Sequence, residues 1–247
     1  MMREPVLRAR WVVSLYPDAA EAGGTLQFTG PRPGGGGEVE EAVDPERAKA
    51  EAARRARTKV RRYCASNRLN RLGTLTYAGS GCHDPRQVRA DAGDFFRRLR
   101  DELGGESLPY LWVPEWHPGG HGLHLHFAVN RYVRRSLINA AWGRGFVHIK
   151  LLGDLPAGAG GLQEARATAR YLAKYVSKDL GTAAAGLHRY EVAQGFQPRR
   201  MTYTASDPYS ALAAMSQHMA SQPEHVWWSD DAEEWHGPPA VWASWAA

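Results

Sequence analysis

The chain alternates between two hydrophobic periods, and the switches between them outline its elements. Residues 10–16, RWVVSLY, and 25–28, TLQF, read as short strands. The stretch PRPGGGGEVEE at 31–41 is a Gly-rich link that no regular element would contain. From Pro45 to Asn67 the period becomes helical. Residues 71–77, RLGTLTY, return to strand chemistry, with Leu72, Thr74, Leu75, Thr76 and Tyr77 suited to a pleated surface. Asp84-Pro85 marks a helix start. The helix is expected to run to about Leu103, with Val88, Phe95, Phe96, Leu99 and Leu103 as its apolar stripe.

PYLWVPEW at 109–116 and GLHLHFAVN at 122–130 flank the turn HPGGH, a hairpin signature. A short helix near 134–141, a strand at 145–152, a helix from about Leu162 to Leu180, a strand at 200–204 and a helix near 207–220 complete the reading. Hairpins force antiparallel neighbours. The expected fold class is therefore α+β, with a central antiparallel sheet and flanking helices. The expected division is 1–44 (N-terminal strands and link), 45–221 (one domain) and 222–247 (an acidic, Trp-rich tail).

Composition narrows the function. Hydrophobic residues make up 43%, enough for a globular core. No apolar run is long enough to span a bilayer. The start, MMREPVLRARWVVSLYPD, lacks an adequate signal-peptide core, so a cytoplasmic location and no membrane partner are expected. Cys64 and Cys82 alone make no disulfide framework or zinc cluster.

Net charge is +5, and residues 222–247 hold five acidic residues with no Lys or Arg. The rest of the chain therefore carries +10 (+5 plus 5), a plausible phosphate-binding surface. The 45–67 helix is especially basic. Its Arg54, Arg55, Arg57 and Lys59 are either a solvated face or a contact to the DNA backbone. The tail holds Trp227, Trp228, Trp235, Trp242 and Trp245. It has three open readings: docking on the protein's own basic surface, docking on a partner, or completing the fold.

Three short motifs carry chemistry. His124 and His126 lie two apart on a strand, so both imidazoles face one side while Leu125 faces the core. A bare H-x-H is often only a half-solvated strand. Here Glu115 lies in the preceding strand of the hairpin, where a short turn can bring it beside the histidines. Two imidazoles and a carboxylate leave open positions on a divalent ion. Mn²⁺ or Mg²⁺ is expected in use, with Zn²⁺ able to occupy such a site. His117 and His121, in the turn, are rival ligands. Tyr171, Lys174, Tyr175 and Lys178 are spaced to share one helix face, opposite Leu162, Ala165, Ala169, Leu172, Val176 and Leu180. A phenol beside a cation has the chemistry of a covalent nucleophile.

In this order, LGTLTY at 72–77, HLHF at 124–127 and YLAKYVSK at 171–178, the sequence resembles the HUH endonucleases, specifically the rolling-circle replication initiators of plasmids, integrative elements and phages. The three motifs cover about residues 70–180. The resemblance implies an HUH palm with an RRM-like sheet. It implies that His124, His126 and Glu115 hold the metal and that one or both tyrosines attack DNA, leaving a 5′-phosphotyrosine and a free 3′-OH. Lys174 and Lys178 would orient the phosphate or stabilise the phenolate. Thr74 and Thr76, in the first motif, are taken as DNA-binding, as are the helix cations. The partner is single-stranded or origin DNA. With no Walker A motif, unwinding would need a separate helicase.

Related readings are weaker. Relaxases place the tyrosine before the histidines. Single-tyrosine transposases share this order, but their usual motif lacks the YxxK lysine. A non-catalytic DNA-binding module would favour loss of the tyrosines, and both are present.

Overall fold

A computed structural model of the chain describes residues 8–29, 45–150, 161–176, 178, 188–233, 235 and 237–246. Its contacts divide the chain into two units, residues 48–197 and residues 1–47 with 198–247. Each unit carries one five-stranded antiparallel sheet, and five helices accompany them among the described residues, so the fold is α+β as expected.

In the 48–197 unit the helix α1 (Pro45–Ser66), which begins just before it, is followed by β3 (Arg71–Tyr77), α2 (Pro85–Glu102), β4 (Tyr110–Trp116), β5 (Leu123–Val129), α3 (Arg135–Trp142), β6 (Gly145–Lys150), α4 (Gly161–Val176) and β7 (Glu191–Val192). The strand order is β6-β3-β5-β4-β7. Central β5 is buried on both faces, which is why LHLHFAV reads as nearly continuous apolar chain. Pro114 sits in β4 beyond the short pairing with β7 at Leu111 and Trp112, where its missing N–H removes no bond to that neighbour.

The two faces of the sheet bury different helices. Leu75, Leu123, Leu125 and Phe127 pack with Phe95, Phe96 and Leu99 of α2 and with Ile138 and Trp142 of α3. Leu72, Leu111, Val113 and Ala128 pack with Val60, Tyr63 and Cys64 of α1 and with Ala169, Leu172 and Val176 of α4. Asp84 caps α2 by accepting a bond from the Arg86 backbone N–H, with Pro85 in the first turn, as the sequence predicts. Gly73 is required by close approach, since a Cβ there would lie 2.5 Å from the Phe127 ring. The expected extension of α4 to Leu180 falls outside the described residues, as does the end of the strand expected at 145–152.

The other unit contains β1 (Arg8–Tyr16), β2 (Glu21–Thr29), β8 (Met201–Ala205), α5 (Pro208–Met219), β9 (His225–Trp228) and β10 (Ala240–Ser244), with strand order β8-β1-β2-β10-β9. This second sheet is additional to the single one anticipated. It also groups the chain differently from the expected boundaries at 44 and 221. Ladder pairing of β8 with β1 and of β10 with β2 ties residues 198–247 to the N-terminal strands. β2 begins four residues before the expected strand. Its extra residues include Gly24, where a Cβ would lie 2.1 Å from the Val12 carbonyl oxygen, and such small residues carry no strand signal.

The tryptophans of 222–247 complete this unit. Trp245 is fully buried, and its indole N–H donates to the Ser221 carbonyl. The Trp227 and Trp235 rings meet edge to face at 5.4 Å. Truncation after Ser221 removes β9, β10 and a buried tryptophan whose loss alone costs about 3–5 kcal/mol. We expect a melting temperature lower by more than about 10 °C, or insolubility. Thermal unfolding of the truncated protein checks this, and an unchanged melting temperature would count against packing of the tail.

Candidate functional site

The site is built on the sheet face that also receives α1 and α4. The register sets His126 opposite Thr74 on one side and Val113 on the other, with His148 opposite Thr74 in turn. One row of side chains therefore crosses four strands. In the adjoining row Glu115 lies opposite His124. The His124, His126 and Glu115 positions thus share one face, as the sequence reading expected.

Hydrogen bonds link the rows. His126 Nε2 lies 2.7 Å from Glu115 Oε2, and His126 Nδ1 lies 2.9 Å from the Thr74 hydroxyl. The Lys178 ammonium donates to the other oxygen of Glu115. The His126 side chain is only 7% exposed and that of Glu115 only 11%.

Burial sets the charge states. Desolvation lowers the pKa of His126, outweighing the opposite pull of Glu115. Burial of Glu115 by itself would raise its pKa. Hydrogen bonds from Lys178 and His126 outweigh this and hold the carboxyl below its ordinary value. Burial, then repulsion from His117 and His126, lowers His124 to about 4.

The His124 shift has a definite sign. Between about pH 4 and 6.5 the folded chain binds fewer protons at His124 than the unfolded chain. Its contribution to stability is therefore fully present above about pH 6.5 and is lost as pH falls through that window. Replacing His124 with Gln should make the acid limb of a melting-temperature profile shallower between pH 4 and 6.5. An unchanged slope would exclude His124 as its source.

α4 brings the tyrosines over this face. The Tyr175 ring stacks on His126, with centroids 3.8 Å apart and planes 18° from parallel. The Tyr175 hydroxyl donates to the Tyr171 hydroxyl at 2.6 Å. Burial, then this bond, raises the pKa of Tyr175. Both rings are half-buried against the core shared with α1, at the border of the apolar stripe rather than opposite it.

Cations surround the pair. Lys150 lies 4.7 Å and Lys174 5.8 Å from the Tyr171 ring centre, and Lys178 lies 5.2 Å from that of Tyr175. Lys178 follows the last assigned turn of α4, its N–H bonded to the Tyr175 carbonyl.

Lys150 is a site residue that the sequence reading missed. Its strand signal was present, because alternation in GFVHIK places Lys150 on the same face as His148. What was missing was the pairing of Leu72 with Lys150, which puts β6 beside β3. Thr74 reaches His126 directly. Thr76 shares the face, and its backbone carbonyl accepts from the Trp142 indole. Arg54, Arg55, Arg57 and Lys59 are exposed along α1, with Arg54 and Arg55 both near Glu51.

The donor set suits a hard divalent cation in chemistry: two imidazoles and one carboxylate on adjoining positions of one face. His124 Nε2 is also buried with no hydrogen-bond partner, the mark of a nitrogen placed for a ligand. Among the described residues no three His, Cys, Asp or Glu side chains are drawn around one point. The reason is visible in the bonds above: Glu115 is engaged by His126 and Lys178. Of the rival ligands, His121 Nε2 lies 3.1 Å from the Tyr77 carbonyl, while the His117 ring lies 4.5 Å from that of His124.

No curated protein and no solved structure matches the chain. No helix among the described residues is long and apolar enough to cross a membrane. Residues 70–180, less than half of the chain, match the family model of a replication-associated protein, the ORF2 and gene 2 protein type. Over the stretch that holds the histidines, Glu115 and both tyrosines, the chain is therefore similar to a replication-associated protein family, and this likeness supports a role in replication initiation.

Proposed function

We propose that the protein is a rolling-circle replication initiator of the HUH type, which nicks and rejoins single-stranded DNA at an origin. The observation that carries this reading is the meeting of the His124, His126 and Glu115 face with the hydroxyls of Tyr171 and Tyr175, supplied by α4. His124, His126 and Glu115 would hold a divalent ion, Mn²⁺ or Mg²⁺, with Zn²⁺ able to occupy the same donors. When bound, the ion supplies Lewis-acid polarisation of the scissile phosphate.

The chain's own residues do the rest. A tyrosine oxygen attacks phosphorus, a Tyr–O–P bond forms, and the bond from phosphorus to the 3′ oxygen breaks. The tyrosine retains the 5′ phosphate, and the released 3′-OH primes synthesis. The phenol gives up its proton to solvent, and the leaving 3′ oxygen takes one up. Lys150, Lys174 and Lys178 favour the phenolate and the developing phosphate charge. Attack by a 3′-OH on the phosphotyrosine reverses the step and rejoins the strand. The ester linkage conserves the bond energy, so no ATP is required. Duplex unwinding falls to a separate helicase.

The test is to incubate the full chain with a pool of single-stranded oligonucleotides and Mn²⁺. The expected product is a denaturant-resistant adduct that requires the metal and maps to α4 by mass spectrometry. Absence of any adduct in Mn²⁺ or Mg²⁺ would overturn the proposal.

α1 supplies the non-specific part of binding in this reading. Each phosphate contact to single-stranded DNA contributes about 0.7 to the slope of log affinity against log salt. Neutralising Arg54, Arg55, Arg57 and Lys59 together should reduce that slope by about 2 to 3 if all four contact phosphates. Fluorescence anisotropy across a salt series measures it. An unchanged slope would return this helix to a solvated face.

A further inference from the structure

We infer that Thr74 is a positioning residue for the metal site, fixing the ring of His126 and serving both of its neutral tautomers. This inference rests on the proposed use of His126 as a metal ligand. Thr74 falls in the first of the three sequence motifs, where its expected role was contact with DNA. The structure gives its hydroxyl a different partner. Thr74 is paired with His126 across the β3–β5 ladder, and its Oγ1 lies 2.9 Å from His126 Nδ1.

The chemistry of the hydroxyl explains why this residue type suits the position. A neutral imidazole has one N–H and one lone pair. With Nε2 facing the Glu115 carboxylate at 2.7 Å, the ring proton belongs on Nε2. Nδ1 is then an acceptor, and the Thr74 hydroxyl donates to it. A cation at Nε2 requires the lone pair there, so the single ring proton resides on Nδ1. The same hydroxyl then accepts.

A hydroxyl performs both roles by rotating about its C–O bond. A carboxylate could only accept, and an aliphatic side chain could do neither. The ring is also clamped from the side by the stacked Tyr175. Thr74 therefore supplies the in-plane contact that stacking cannot, and in-plane contact is what aims Nε2. Partners of this kind orient ligating histidines and raise metal affinity.

The experiment titrates the metal-free full chain with Mn²⁺ and follows the free-ion signal by electron paramagnetic resonance. It compares wild type with Thr74→Val, Thr74→Ala, Thr74→Ser and His126→Ala, with a melting temperature for each. The expected result is Mn²⁺ binding weakened about 10- to 100-fold in Thr74→Val and Thr74→Ala. Thr74→Ser, which keeps the hydroxyl, should stay close to wild type. Wild-type affinity in both hydroxyl-free variants would overturn the inference, as would a Thr74→Ser variant as weak as Thr74→Val. Those results would leave the metal site standing provided His126→Ala loses binding. If His126→Ala binds Mn²⁺ like wild type, the metal reading itself fails and the role of Thr74 fails with it.

Discussion

A chain carrying both Tyr171→Phe and Tyr175→Phe is expected to form no covalent DNA adduct and to lose nicking by more than about 10³-fold. Each change removes one oxygen and keeps the ring. The stack on His126 and the packing against the α1 and α4 core should therefore survive, and the melting temperature should change little. The loss would be chemical rather than structural. The single variants are more informative about sharing. The two hydroxyls are hydrogen-bonded at 2.6 Å, so both lie within reach of one phosphate position. Each single variant should retain some adduct, mapped by mass spectrometry to the remaining tyrosine. Adduct that persists in the double variant would sink the assignment of the nucleophile to this helix.

The second large effect is at the histidines. Replacing His124 and His126 together with Ala should abolish Mn²⁺-dependent nicking. The fold should be largely retained, but not as freely as an exposed H-x-H pair would allow. His126 is 7% exposed in its side chain and stacked under Tyr175. Its removal also leaves Glu115 with Lys178 as its remaining hydrogen-bond partner among those described above. Some thermal destabilisation is therefore expected beside the loss of activity. Measuring nicking well below the melting transition separates the two effects. A normal nicking rate in Mn²⁺ would place the catalytic centre elsewhere.

Much of this site was legible in the linear sequence because its chemistry follows local periods. A spacing of two on a strand puts His124 and His126 on one face whatever the rest of the chain does. The hairpin turn brings Glu115 beside them, and the register places it opposite His124. The helical spacing of Tyr171 and Tyr175 brings their hydroxyls together.

Other features were not legible. Lys150 joins the site only because β6 pairs with β3 rather than with another strand edge. Thr74 meets His126 because β3 lies beside β5, a neighbour 52 residues away in sequence. The reach of Lys178 to Glu115 needs the seating of α4 on the sheet.

The second sheet shows the same division. β9 and β10 are short, and the acidic, tryptophan-rich composition around them resembles a tail more than strands. Their backbone groups are satisfied only through partners far along the chain, β10 on β2 across more than two hundred residues. Sequence by itself determined the α+β class, the hairpin, the shared face of the two histidines and the pairing of the tyrosines, because each depends on backbone periodicity over a few residues. Tertiary structure alone decided the strand order, the grouping of 198–247 with the N-terminal strands and the partners of Thr74, Lys150 and Lys178. Those depend on which distant edges close hydrogen bonds and bury apolar surface together, and local pattern carries no record of that choice.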